Sequence, residues 1–294
     1  MSVYWMLPLV ALLWGLSWPL MKLSLSGLEP LRFRSFSMGG ATSGLFLIAW
    51  LSGARLRLPV KSLPRMLVLS FFNIAGWSAL MILGLQLLPA GRATILAYTF
   101  PLWTVPLSVW LMGETVTVRK ICGLVLGLCG MALLLGDELF SIGRSPLGAL
   151  MLIGSAMFWA IGTVLVKRWP MDLPMVSFTA WQTLMAFLFI LVLALWLEDG
   201  PFHPFGQPLP VMFAALYSAF IASIFAQWTW YRMVELTSAA VSSIAITVVP
   251  VIGVFFSALI LGENPRITDY TALVLVVGSL AFILLPPWPR HPRN

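Results

Sequence analysis

Ten long apolar runs separated by short polar loops set the pattern of this 294-residue chain. They fall at roughly 4–23, 31–52, 65–87, 92–112, 119–136, 147–167, 175–197, 209–232, 238–261 and 267–286. Each is near the ~20 residues a helix needs to cross the hydrocarbon core of a bilayer. The runs are too long and too continuously apolar for the alternating strands of a membrane barrel. Lipid offers the backbone no hydrogen bonds, which leaves helix as the alternative. The pattern predicts an all-α polytopic membrane protein with ten transmembrane helices.

Within this pattern one stretch recurs. Residues 88–135 and 237–284 align without a gap at a constant offset of 149. Ala90 matches Ala239, Pro101 matches Pro250, Ser108 matches Ser257, and Gly113-Glu114 matches Gly262-Glu263. Each copy is an apolar segment with a proline, a Gly-Glu turn and a second apolar segment. The fourth and fifth spans therefore repeat as the ninth and tenth, and the unit is five helices. An odd unit inserts its second copy upside down. Trp14-Gly15-Leu16-Ser17 is echoed more faintly by Trp159-Ala160-Ile161-Gly162, with Lys22 and Lys167 following at the same spacing. Two inverted-topology five-helix repeats, 1–144 and 145–294, are expected to share one bundle. Secondary transporters use this plan, because exchanging the conformations of the halves turns an outward-open state into an inward-open one.

Composition agrees: 60% of residues are hydrophobic and 9% charged, against ~25% charged in soluble domains. The net charge of +7 does not imply nucleic acid, because the basic residues are scattered through short loops. Counted by side, Arg55, Arg57, Lys61, Arg65, Arg119, Lys120, Lys167, Arg168, Arg232, Arg290 and Arg293 share one face. Lys22, Arg32, Arg34, Arg92, Arg144 and Arg266 fall to the other. The positive-inside rule then puts both termini in the cytoplasm, in an inner membrane. No basic leader precedes the first apolar run, so no cleaved signal peptide is expected. Cys122 and Cys129 stand seven apart on one helix, about 10 Å along the axis. They cannot bridge and are read as packing residues.

No span carries Asp, Glu or His near its middle. This argues against ion coupling through a buried carboxylate and against a strongly charged substrate. It also removes the constellations that catalysis or a metal requires, so neither an enzyme nor a cofactor is expected. The candidates are uncharged: Trp14, Ser17 and Trp18 in the first span, and Asn73, Trp77, Ser78 and Met81 in the third. Tyr98 follows in the fourth, Trp159 and Thr163 in the sixth, Tyr217 in the eighth and Ser243 in the ninth. Such donors and acceptors among aromatic walls suit a small neutral or zwitterionic solute with an apolar side chain.

Each candidate also has an ordinary alternative role. Trp and Tyr near span ends anchor helices at the membrane interface, as expected of Trp5, Trp50, Trp110, Trp196 and Trp288. Ser and Thr in membrane helices bond their own backbone or a neighbouring helix. Pro101 and Pro250 interrupt helical hydrogen bonding, as gate hinges or as static bends. Glu114 and Glu263, at span ends, are expected to cap a helix or pair with Arg119 or Arg266. The Gly40–Gly44 and Gly123–Gly127 spacings allow close helix contact within a monomer or in a weak homodimer.

The ten spans, the duplicated Pro-to-Glu spacing of thirteen residues (Pro101 to Glu114, Pro250 to Glu263) and the Trp-Gly-x-Ser-Trp start (Trp14 to Trp18) resemble the EamA-type branch of the drug/metabolite transporter superfamily. The resemblance covers essentially the whole chain and is nearest in overall likeness to aromatic amino-acid exporters of the YddG type. It implies export of aromatic and other apolar amino acids by alternating access. It also implies a central cavity lined by spans 1, 3, 4, 6, 8 and 9, with 5 and 10 peripheral. Ala160 and Gly162 stand where the first half has Gly15 and Ser17, so the cavity is expected to be asymmetric. The same features admit a nucleoside, an organic cation or a drug-like metabolite as solute.

Overall fold

Proline and glycine punctuate the helices. Pro30 opens α2 (Pro30–Leu51), Pro146 opens α8 (Pro146–Arg168), and Pro89 and Pro174 immediately precede α5 (Ala90–Ala97) and α9 (Met175–Leu197). Proline costs least at a helix start, where the first N–H groups lack intrahelical partners anyway. At the other end, Gly113 follows α6 (Phe100–Met112) with φ 67°, and Gly262 follows α12 (Ala239–Leu261) with φ 65°. Both are left-handed caps that a side chain would strain. The repeated Gly-Glu pair thus closes a helix and then turns a carboxylate toward a neighbouring element.

The computed structural model describes residues 3–140, 146–199, 203–236 and 239–284, except for the side chains of 3–4, 138, 140, 231–232, 234–235 and 239–245. Among them there is no β-strand. The remaining helices are α1 (Val3–Ser24), α3 (Leu63–Ser70), α4 (Trp77–Leu87), α7 (Val118–Phe140), α10 (Leu209–Leu216), α11 (Ala226–Leu236) and α13 (Ile267–Leu284). Eight helical segments are long and apolar enough to cross a membrane. They are Trp5–Ser24, Val60–Leu87, Ala90–Met112, Val118–Asp137, Pro146–Arg168, Met175–Leu197, Leu209–Trp230 and Ile267–Leu284. Two more helices run beside them. α2 has 22 residues but carries Arg32 and Arg34 in its first two turns, and α12 contributes the shorter apolar stretch Ile246–Leu261.

Three spans are not plain α-helices. Val60–Leu87, the third apolar run of the sequence, passes through a π-helical segment, Phe71–Gly76, between α3 and α4. Leu209–Trp230, the eighth run, does the same at Tyr217–Phe225, between α10 and α11. Ala90–Met112, the fourth run, breaks at Tyr98-Thr99, between α5 and α6. Pro101 was expected inside a helix. It lies instead in the first turn of α6, where its missing N–H forfeits nothing. Pro250 does lie within its helix, α12.

The helices pack in pairs. α1 lies along α12, as α8 lies along α5 and α6. α1 also meets α10 and α11, as α8 meets α4. The first π segment packs on α9 and the second on α2, while α2 pairs with α9 and α7 with α13. Small residues make these seams close. Gly123, Gly127 and Gly130 of α7 face α13, and Gly40 and Gly44 of α2 face Ala219 and Ile224. The glycine spacings are therefore used within the chain. Trp5, Trp50, Trp110 and Trp196 are exposed, as expected of interfacial anchors; Trp288 lies outside the described residues. Cys122 and Cys129 are exposed on α7 and do not fill the packing role expected of them.

Candidate functional site

The break in the fourth span and the first π segment bring aromatic rings together in the interior. Trp18 of α1 meets Tyr98 edge-on with ring centroids 6.3 Å apart. Tyr98 lies 6.2 Å from Phe100, Phe100 lies 6.4 Å from Trp159 of α8, and Trp159 lies 5.0 Å from Trp77 of α4. These separations are those of interacting aromatic pairs. Trp77 then carries the Arg34 guanidinium over its face, 5.6 Å from the ring, a cation–π arrangement. Arg34 also donates from Nη2 to Ser78 Oγ at 3.0 Å. One row of groups thus links α1, α5–α6, α8, α4 and α2.

Of the residues singled out in the sequence, Trp18, Trp77, Ser78, Tyr98 and Trp159 join this row. Asn73 lies beside it in the π segment and donates from Nδ2 to Gln182 Oε1 at 3.3 Å. Trp14 belongs to a separate seam, its ring 5.3 Å from Trp230 and its indole N–H directed at Ala222 O, 3.4 Å away. Tyr217 donates its hydroxyl to Leu13 O at 2.8 Å on that seam. The hydroxyls of Ser17 and Thr163 bond their own helix, at Trp14 O and Trp159 O, and Thr163 is exposed. Met81 is fully buried packing. Ser243 is on α12, but its side chain lies outside the described residues.

Two arginines counted as loop charges reach into the bundle instead. Arg34 is one. Arg92, in α5, is only 4% exposed and is held between two carboxylates. Its Nη1 is 2.6 Å from Asp137 Oδ2 at the end of α7, and its Nε is 2.6 Å from Asp269 Oδ1 in α13. Arg266 lies 3.7 Å from the other Asp137 oxygen, and its backbone N–H donates to Asp269 at 2.6 Å. At the same end of the bundle, Glu263 accepts from the N–H groups of Ala90 and Gly91 at 2.5 and 3.0 Å. It caps α5, where a carboxylate also meets the positive end of the helix dipole. Lys22 donates to the last carbonyls of the third span, Leu85 O and Gln86 O, both at 2.8 Å. A helix start and a helix end are therefore each held by a side chain of opposite charge to their dipole.

The other Gly-Glu turn is arranged differently. Glu114 takes Lys167 Nζ at 2.6 Å and Lys120 Nζ at 3.3 Å, rather than the expected Arg119. The Lys167 hydrogen bond, aided by Lys120, holds the Glu114 carboxyl below its ordinary value of 4.5. A carboxylate with a depressed folded-state pKa stabilises at pH above its unfolded value, and the contribution is lost as pH falls through the folded value. The Glu114→Gln variant is therefore expected to melt below the wild type at pH 7. The gap should close as the pH falls below 4.5 and through the depressed folded-state value of Glu114. A gap that persists at low pH would show that the ion pairs do not cause it.

The EamA-like transporter family covers residues 1–136 and 146–285. The chain belongs to that family. The uncharacterized transporter YoaV of Bacillus subtilis is 26% identical over 268 residues, covering 91% of each chain. YvbV of the same organism is 27% identical over 280 residues, covering 95% of this chain and 90% of its own. A probable amino-acid metabolite efflux pump of Escherichia coli is 24% identical over 281 residues, covering 92% and 91%. A crystal structure with 20% identity superposes with a TM-score of 0.67 over 96% of this chain and 95% of that one, which supports the fold. This EamA-like protein is a multi-pass membrane transporter and not an enzyme. Among its described residues no group of His, Cys, Asp and Glu is placed to hold a metal.

Proposed function

We propose that this transporter exports aromatic and other apolar amino acids across the inner membrane by alternating access. The row Trp18–Tyr98–Phe100–Trp159–Trp77 carries the reading. It is an interior wall of rings flanked by polar groups, built from four spans that packing alone would not require to present aromatics to one another. Such a wall suits an apolar side chain. The relative named as an amino-acid metabolite efflux pump supports the solute class.

Counting α2 and α12 with the eight spans gives ten, arranged as inverted five-helix halves, 1–144 and 145–294. The corresponding seams of α1 with α12 and α8 with α5–α6 are those a two-fold axis in the membrane plane would generate. So are the π segments at matching places in the third and eighth spans. Both termini are cytoplasmic in this reading. Placing Arg34 and Arg92 inside helices rather than loops reduces the count of loop charges on the opposite face and strengthens the bias. The end sealed by Glu263, Arg92 and Lys22 is then the outer one. Pro101, at the break, and Pro250, within α12, serve as hinges between the states. Ser17, Met81, Tyr217 and Ser243 complete the cavity in other conformations. The glycine seams are used internally, so they call for no dimer, and the chain works as a monomer or weak homodimer.

Counterflow tests the reading. Proteoliposomes preloaded with unlabelled phenylalanine should transiently accumulate external labelled phenylalanine above equilibrium without an ion gradient. Absence of accumulation in vesicles shown to hold folded protein would remove the amino-acid assignment.

A further inference from the structure

A cation sits in the transport row without a carboxylate. No carboxylate of the described residues pairs with Arg34, whose contacts are the Ser78 hydroxyl and the Trp77 face. Its Nε is enclosed by protein and has no acceptor. The same holds for Gln182 Nε2. Gln182 spends its oxygen on Asn73, about one turn before Trp77. The two sides of Trp77 therefore share one imbalance: donors in surplus and acceptors missing. Arginine inside a membrane protein is costly and is normally offset by an anion. The second half has Thr179 at the place on α9 that matches Arg34 on α2, so the charge is not a repeated packing element. Lys22 and Arg92, by contrast, have partners of their own at the sealed end of the bundle: carbonyls for Lys22 and two carboxylates for Arg92.

We propose that Arg34 is the carboxylate-binding residue of the transport site, so that the solute is an aromatic or apolar molecule bearing a carboxylate. The inference rests on the reading of the aromatic row as the solute site. The planar guanidinium matches a carboxylate through parallel hydrogen bonds. Nε–H, free in this structure, and an Nη–H released from Ser78 form the fork. Trp77 and Trp159 then take the apolar group attached to that carboxylate. The sequence argument against a charged substrate considered only Asp, Glu and His. Arg34 reverses its conclusion for anions and strengthens it against organic cations, which would meet a like charge beside the rings.

Binding in detergent separates this from transport. Quenching of tryptophan fluorescence and thermal shift would be measured with L-phenylalanine, 3-phenylpropionate and 2-phenylethylamine on the intact protein. The two carboxylates should bind and the amine should not. Arg34→Gln should weaken both carboxylates by about tenfold or more, and Arg34→Lys should recover part of the loss. Equal binding of 2-phenylethylamine by the wild type, unchanged carboxylate binding in folded Arg34→Gln, or no carboxylate binding at all would overturn the proposal. The discrimination among the three probes uses wild-type protein and stands even if Arg34→Gln fails to fold. Carboxylate binding without counterflow would remove the transport reading and leave Arg34 in its role. Counterflow of a solute lacking a carboxylate would do the reverse.

Discussion

Replacing Arg92 with methionine should cost this protein about 3–5 kcal/mol, the usual result of stripping one partner from a buried ion cluster. The side chain is 4% exposed, and its loss leaves Asp137 and Asp269 without the cation that lies 2.6 Å from each. Two carboxylates left close together in a poorly solvated place repel one another as well as losing hydration. The effect should appear as a fall of several degrees in melting temperature and a smaller monodisperse fraction on size exclusion. Adding Asp137→Asn and Asp269→Asn to Arg92→Met should restore most of the loss, because the unbalanced charge is gone. If the single variant melts like the wild type, the cluster does not hold that end of the bundle together. If the triple variant is no better than the single one, the guanidinium acts through packing.

The second large effect is expected from one methyl group. A Cβ at Gly162 would lie 2.4 Å from Asn73 Cα and 2.5 Å from Asn73 N. Those are backbone atoms and cannot swing aside, so Gly162→Ala must push α8 away from the first π segment. Overpacking of this kind costs about 1–3 kcal/mol, and here it acts on the two elements that hold Trp159 and Trp77 at 5.0 Å. Counterflow should fall by about tenfold or more while helix content is retained, since a misplacement of about 1 Å at a working site costs far more function than stability. Wild-type counterflow in Gly162→Ala would show that the spacing of the two tryptophans does not matter. Gly76→Ala is the natural contrast. Its Cβ would meet the Phe158 ring at 2.1 Å, a side chain with some freedom to turn, so the loss should be smaller.

The helices were legible in the sequence because lipid demands long uninterrupted apolar runs, and α9 and α13 fall within a few residues of where those runs predict. What lies inside a run was not legible. The π segments and the break at Tyr98-Thr99 leave the run continuous, and hydropathy carries no trace of which residue a turn skips. Five of the twelve residues proposed to touch solute converge on one row, and these five carry rings or a hydroxyl at mid-span. Of the others, Ser17 and Thr163 satisfy local backbone, Met81 packs, and Asn73, Trp14 and Tyr217 bond groups on other helices. Arg34 and Arg92 were missed for one reason. A charge near the predicted end of a span reads as a loop charge until its partners are known, and those of Arg92 lie on α7 and α13. Phe100 was missed because nothing in an apolar span distinguishes a phenylalanine that faces inward.

The π-helical stretch Phe71–Gly76 ends where Trp77 begins. Such a stretch holds more residues per turn than an α-helix, so it is a store of unspent winding in the middle of a span. Were it to rewind by one residue into regular helix, everything beyond it would rotate by roughly 100° about the axis. Trp77 and Ser78 would leave Arg34 and Trp159 together, like a key turned in its wards, with neither end of the span moving across the membrane. A second such store at Tyr217–Phe225 gives the span Leu209–Trp230 the same quarter-turn to spend.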